Sequence, residues 1–184
     1  PVPAGGDMNV DADTINNANG SISSGGNMTL VSDGDINNIS NGMNSGISAG
    51  GDINMSSTSG NINNNGAAIK ADGDVNMSAA QGDINMTASV GHDESGKQVI
   101  HAFDDGVTAG GSINMEAKSI TSNASDITAG KDVNMKATDG DVTFNDLHEI
   151  DATRVIDNDV RNGMNFTMSD TSTTTGKAIG ANVT

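Results

Sequence analysis

Apolar residues recur in pairs, two positions apart with Asn or Thr between them: Met8 and Val10, Met28 and Leu30, Ile53 and Met55, Val75 and Met77. The series continues with Ile113 and Met115, Val133 and Met135, and Phe166 and Met168. This alternation is strand periodicity, with one buried and one wet face. A second apolar column follows each pair at Ile15, Ile36, Ile62, Ile84, Ile120 and Val142, and a third at Ile22, Ile47, Ile69, Val107 and Ile127. The third column is completed by Val155 or Val160 and by Ile179. Gly-containing corners divide the chain into seven segments that begin near Gly5, Gly25, Gly50, Asp72, Gly110, Gly130 and Gly163.

Three aligned apolar columns per segment predict an all-β, three-sided parallel β-solenoid of about seven coils, forming one domain over residues 1–184. One coil cannot bury its apolar side alone. Coils stacked at about 4.8 Å pair their backbones and align like side chains, which gives a rod of about 33 Å. A left-handed triangular helix prefers six-residue faces, and the spacing of the Asp and Asn positions does not respect them. Composition taken alone points elsewhere: 34% hydrophobic residues, 2% aromatic and 24 Gly are the marks of a disordered tract. The columns change that reading, because Ile, Val and Met then fill a thin interior and unbranched Met closes irregular gaps.

With 24 acidic against 8 basic residues the net charge is −16, which excludes a nucleic-acid surface and attachment to anionic lipid. No apolar stretch is long enough to span a bilayer as a helix, and no signal-peptide pattern opens the chain. The start at Pro1 without Met reads as a processed or excised chain. The absence of Cys removes disulfides, Cys-ligated zinc and thiol chemistry.

The runs Ala-Gly-Gly-Asp-Ile-Asn-Met at 49–55, Gln-Gly-Asp-Ile-Asn-Met at 81–86 and Ala-Gly-Lys-Asp-Val-Asn-Met at 129–135 resemble the haemagglutinin-type repeats of two-partner-secreted bacterial exoproteins. Filamentous haemagglutinins and contact-dependent-inhibition stalks belong to that group. The resemblance implies a right-handed parallel β-helix, exported to the cell surface or the medium, that serves as an adhesive or spacer shaft.

Asp or Asn stands before the first strand at Asp7, Asn27, Asp52, Asp74, Asp132 and Asn165, and before the second at Asp35, Asn61, Asp83 and Asp141. At a corner these side chains accept backbone N–H groups, as in Asx-turns. Calcium is the one cofactor candidate, bridged between carboxylates such as Asp52, Asp74 and Asp83, because hard cations take oxygen ligands. Asn9, Asn54, Asn76, Asn114 and Asn134 form an outer column suited to an amide ladder.

Extra length after the second strand predicts insertions at residues 87–105 and 145–158, on one side of the rod. His92, His101, Phe103, His148 and Arg154 lie in them and form the candidate patch for lateral or ligand contact. A metal site from His92, Asp93, His101 and His148 is a further candidate. The repeating Asp residues single out no catalytic pair and there is no aromatic platform for a sugar, so the reading is non-enzymatic. Uncapped ends suggest a homopolymer in which Met8, Val10, Ile15 and Ile22 of one copy stack on Phe166, Met168 and Ile179 of another. The functional expectation is an extracellular subunit that stacks head to tail into a filament. The alternative is a shaft fragment of a large exoprotein that meets a cell-surface ligand through its insertions.

Overall fold

In the computed structural model the backbone of residues 1–161 and 165–184 is described, with side chains described outside 150–176. The chain coils through three faces in strict rotation. The first turn is β1 (Val2–Ala4), β2 (Met8–Ala12) and β3 (Ile15–Ala18). The second is β4 (Ser21–Ser24), β5 (Met28–Ser32) and β6 (Ile36–Ile39), and the third β7 (Gly46–Ala49), β8 (Ile53–Ser57) and β9 (Ile62–Asn65). The fourth is β10 (Ala68–Ala71), β11 (Val75–Ala79) and β12 (Ile84–Thr87), followed by a hairpin of β13 (Val90–His92) and β14 (Gln98–Ile100). The fifth is β15 (Gly106–Ala109), β16 (Ile113–Ala117) and β17 (Ile120–Asn123). The sixth is β18 (Ile127–Ala129), β19 (Val133–Ala137) and β20 (Val142–Asn145), followed by a longer hairpin of β21 (Leu147–Arg161) and β22 (Asn165–Ile179).

Corresponding strands of successive turns pair in parallel, giving three six-stranded sheets. The register matches the repeat residue for residue. Met8, Met28, Ile53, Val75, Ile113 and Val133 stack in one sheet. Ile15, Ile36, Ile62, Ile84, Ile120 and Val142 stack in a second. Ile22, Ile47, Ile69, Val107 and Ile127 stack in the third. Apart from the exposed Val142, these columns form one continuous core in which Ile53, Ile62, Ile69 and Ile84 are fully buried. The protein is an all-β parallel solenoid of about seven turns, six of them complete and the seventh begun where Val183 bridges to Ile127.

Three expectations are corrected. Phe166 and Met168 lie on β22, opposite Val160 and Asn158, and not on the first strand of a seventh coil. Val155, Val160 and Ile179 do not extend the third column, because Val183 occupies that place and Ile179 pairs with Leu147 at the base of the hairpin. The second insertion is accordingly not 145–158 but the whole of 146–182. The physical reason is local. Between 147 and 179 the sequence lacks the closely spaced Gly corners that cut each turn into three strands, and its Asn162-Gly163 dipeptide is a hairpin signal. Residues 162–164 themselves lie outside the described residues. Pro3 lies inside β1, opposite Ser23. That strand is an edge, where a missing N–H is tolerated.

Candidate functional site

At the corner before the first sheet, the repeat phrase Gly-Asp works between turns. The Asp7 carboxylate accepts the N–H of Asn27 at 2.8 Å, the Asn27 side-chain carbonyl that of Asp52 at 2.9 Å, Asp52 that of Asp74 at 2.8 Å, and Asp74 that of Ser112 at 2.7 Å. A parallel series runs at the next corner from Asp35 to Asn61, Asn61 to Asp83, and Asp83 to Ser119. Asp52, Asp74 and Asp83, the calcium candidates, thus each hold the backbone of the following turn. The Asx role is realised, with the partner one turn along and not within the same loop. Gly is needed directly above such a side chain. A Cβ on Gly26, Gly51, Gly73 or Gly111 would collide with the Oδ1 of Asp7, Asn27, Asp52 or Asp74 respectively. Lys131 takes the same place in turn six, above the shorter Ser112, whose hydroxyl lies 3.3 Å from the Asp132 nitrogen.

Among the described residues, asparagine forms three ladders of three or more side chains. Asn76 donates to Asn54, Asn114 to Asn76 and Asn134 to Asn114, each at 2.9 Å, while Asn9 is cut off from that column by Thr29. On the second sheet Asn37 donates to Asn16, Asn63 to Asn37 and Asn85 to Asn63. The third ladder is buried. Asn17 donates to Asn38 and Asn38 to Asn64, each at 2.8 Å, and Asn64 reaches the Ala67 carbonyl while Asn38 reaches that of Ala68. These amides satisfy carbonyls where the chain passes from the second to the third sheet, a need the sequence reading missed. Its signal was Asn two positions after an inward Ile, which strand alternation places inside.

That same corner carries every insertion, and only after even-numbered turns. After turns one, three and five the connection is short, at 19–20, 66–67 and 124–126. After turns two, four and six it is longer, at 40–45, 88–105 and 146–182. The short connections share a device: Asn19, Gly66 and Ala124 have φ of 55°, 68° and 54° and turn the chain immediately onto the third sheet. The insertions touch one another along the rod. Asn44 in the first accepts the N–H of Asp104 at the base of the second at 2.8 Å. The Glu149 carboxylate of the third accepts the N–H of Ile100 at 3.1 Å, and Leu147 and Ile179 pack on Ala88, Ile100 and Ala124.

Of the candidate contact residues, His101 is half-buried in a cluster of carboxylates. Its Nδ1 lies 2.9 and 3.0 Å from the Asp105 carboxylate oxygens, and its Nε2 lies 3.7 Å from Asp126. Asp105 also accepts the N–H and hydroxyl of Ser89 at 2.6 and 2.8 Å, so this cluster fastens the base of the first hairpin. His92 is exposed on β13, His148 is exposed on β21, and Phe103 is half-buried beneath Gly91. Arg154 is placed on β21, with its side chain outside the described residues. His92, Asp93, His101 and His148 are not brought together, and among the described residues no three His, Asp or Glu side chains are grouped to hold a metal ion. At the exposed hairpin tip, the Ser95 hydroxyl and the Lys97 backbone donate to Asp93 and hold its carboxyl below the usual Asp value.

Residues 38–117 match the family model of the hemagglutinin repeat. This span covers turns three and four, the first hairpin and most of turn five. Comparison with curated proteins and with solved structures gives no match.

Proposed function

We propose that the chain is a shaft segment of a secreted or surface-displayed adhesin, with the stacked turns giving reach and the corner insertions making contact. The observation that carries this is the confinement of all three insertions to one corner of an in-register stack, within and beside a hemagglutinin repeat. A rigid scaffold that offers loops along one side is suited to recognition. The same repeat, which occurs in secreted or surface exoproteins, supports an extracellular setting. The test is adhesion of beads coated with the chain to bacterial and epithelial cells, against a variant in which residues 88–105 are replaced by a two-residue Asn-Gly connection. Adhesion that falls with the insertion removed supports the reading, and adhesion that is unchanged contradicts it.

Head-to-tail stacking of copies is a second reading, favoured by the last complete turn. Val142 and Phe144 on β20 are 36% and 47% exposed, and their columns end at the first turn in Ile15 and Asn17. Sedimentation across a concentration series decides it: filaments that grow with concentration support stacking, and a monomer throughout refutes it.

A further inference from the structure

The alternation of insertions leaves one place beside the rod where a strand is missing. Turn three leaves the corner at Gly66, while the chain after turn two continues outward through 40–42 and the chain after turn four through β13. Turns two and four are two strand spacings apart, about 9.6 Å, so one extended strand fits between their projections. A groove of ≈ 480 Å³ lies there, walled by Ser40 and Asn41, floored by Asn65 and Gly66, and bounded by Val90 and His92. The equivalent level two turns along is filled by the protein itself. Turn five leaves at Ala124, and β14 lies there, paired with β13 on one side and against β21 on the other.

The hydrogen-bonding phase of the hairpin shows what the empty level offers. His101 donates to the Ser89 carbonyl at 2.9 Å and Asp93 to that of Lys97 at 2.9 Å, so alternate pairs of the β13–β14 ladder are bonded. Val90 and His92 face Ile100 and Gln98 in the non-bonded positions, and their N–H and C=O groups therefore point away from β14. Ile100 obeys the same phase, since its N–H points outward on the far side to Glu149. On the groove side no such acceptor is in place among the described residues. An open strand edge offers its unpaired N–H and C=O groups to another chain, and β13, three residues long, carries no Pro or Lys to blunt it.

We propose that this vacant level is a strand-addition site, in which an extended, basic-flanked segment of a partner protein pairs with Val90 and His92. Charge selects the basic flanks: the chain carries 24 acidic against 8 basic residues, and the tip that follows His92 bears Asp93 and Glu94 beside the single cation Lys97. Main-chain bonds supply affinity in this mode, and the groove's small floor at Gly66 favours small or β-branched side chains.

A fluorescent peptide of alternating Thr and Val with Lys at both ends tests this, beside the same peptide with Glu at both ends. The Lys-ended peptide is expected to bind about tenfold more tightly than the Glu-ended one. It is also expected to slow amide exchange at Val90 and His92 about tenfold, while leaving the already bonded Gly91 unchanged. His92→Pro removes an outward N–H without touching the β13–β14 ladder and should weaken binding about tenfold; His92→Ala keeps that N–H and should bind as the parent. Lack of binding at millimolar peptide, binding that leaves Val90 and His92 exchange unaltered, or equal loss in both variants would overturn the proposal. Self-association of the chain that His92→Pro abolishes would also overturn it, by placing a second copy in the groove.

Discussion

Asp74 and Gly111 show how one repeat phrase joins successive turns. The carboxylate of Asp74 takes the N–H of Ser112, and Gly111 leaves the space that this carboxylate occupies. Giving Gly111 a methyl group should therefore cost about 1–3 kcal/mol, as overpacking does. Turn six names the compensating change, since Lys131 has side-chain carbons above the smaller Ser112. In an Asp74→Ser background the penalty of Gly111→Ala should shrink by about 1 kcal/mol or more, read as a coupling energy in a denaturation cycle. Strictly additive effects would show that the two positions do not share the space. The Gly-Asp phrase was legible in the sequence as a corner, but its partner was not, because the acceptor serves a residue 20 or more positions along the chain. The buried amides of Asn17, Asn38 and Asn64 were missed for a related reason. Polarity argued for an outward face, while alternation after Ile15, Ile36 and Ile62 put them inside.

Strands and corners decide where the insertions emerge. Two-residue connections at 19–20 and 66–67 succeed because their first residue takes a left-handed conformation. Gly66 does so without a Cβ, and an added one would stand 3.0 Å from the Ser40 carbonyl. Gly66→Ala should cost about 1–2 kcal/mol from the conformation alone, whereas Gly42→Ala, with nothing near its absent Cβ, should cost the conformational part without the contact. Thermal unfolding of the two variants checks the order: a Gly42 variant less stable than the Gly66 variant would contradict it. All strands of the first five turns except β1 were legible from the apolar columns. The alternation of short and long corners was only half legible, since 87–105 and a second insertion at one side were expected but the loop 40–45 was not. The second insertion was cut short at 158 because its spaced Val residues imitate a solenoid column. What distinguishes them is pairing to β22, a long-range choice that a single strand's pattern does not encode.

Across the whole molecule, insertions of very different length are absorbed without shifting the stack. Asp11, Val31, Ser56, Ser78, Glu116 and Lys136 remain neighbours in register on the outer face of the first sheet, although the first hairpin intervenes between Ser78 and Glu116. That constancy lets the insertions stand at fixed heights along one corner, and both the shaft reading and the vacant strand level depend on it. The chain has no native Cys, so paired spin labels can be introduced at Asp11 and Lys136 without interference. Five strand spacings separate these positions, so electron–electron resonance should give one narrow distance near 24 Å, and labels at Val31 and Lys136 one shorter by about 4.8 Å. A broad distribution, or an 11–136 distance of 40 Å or more, would contradict the in-register stack on which the account rests.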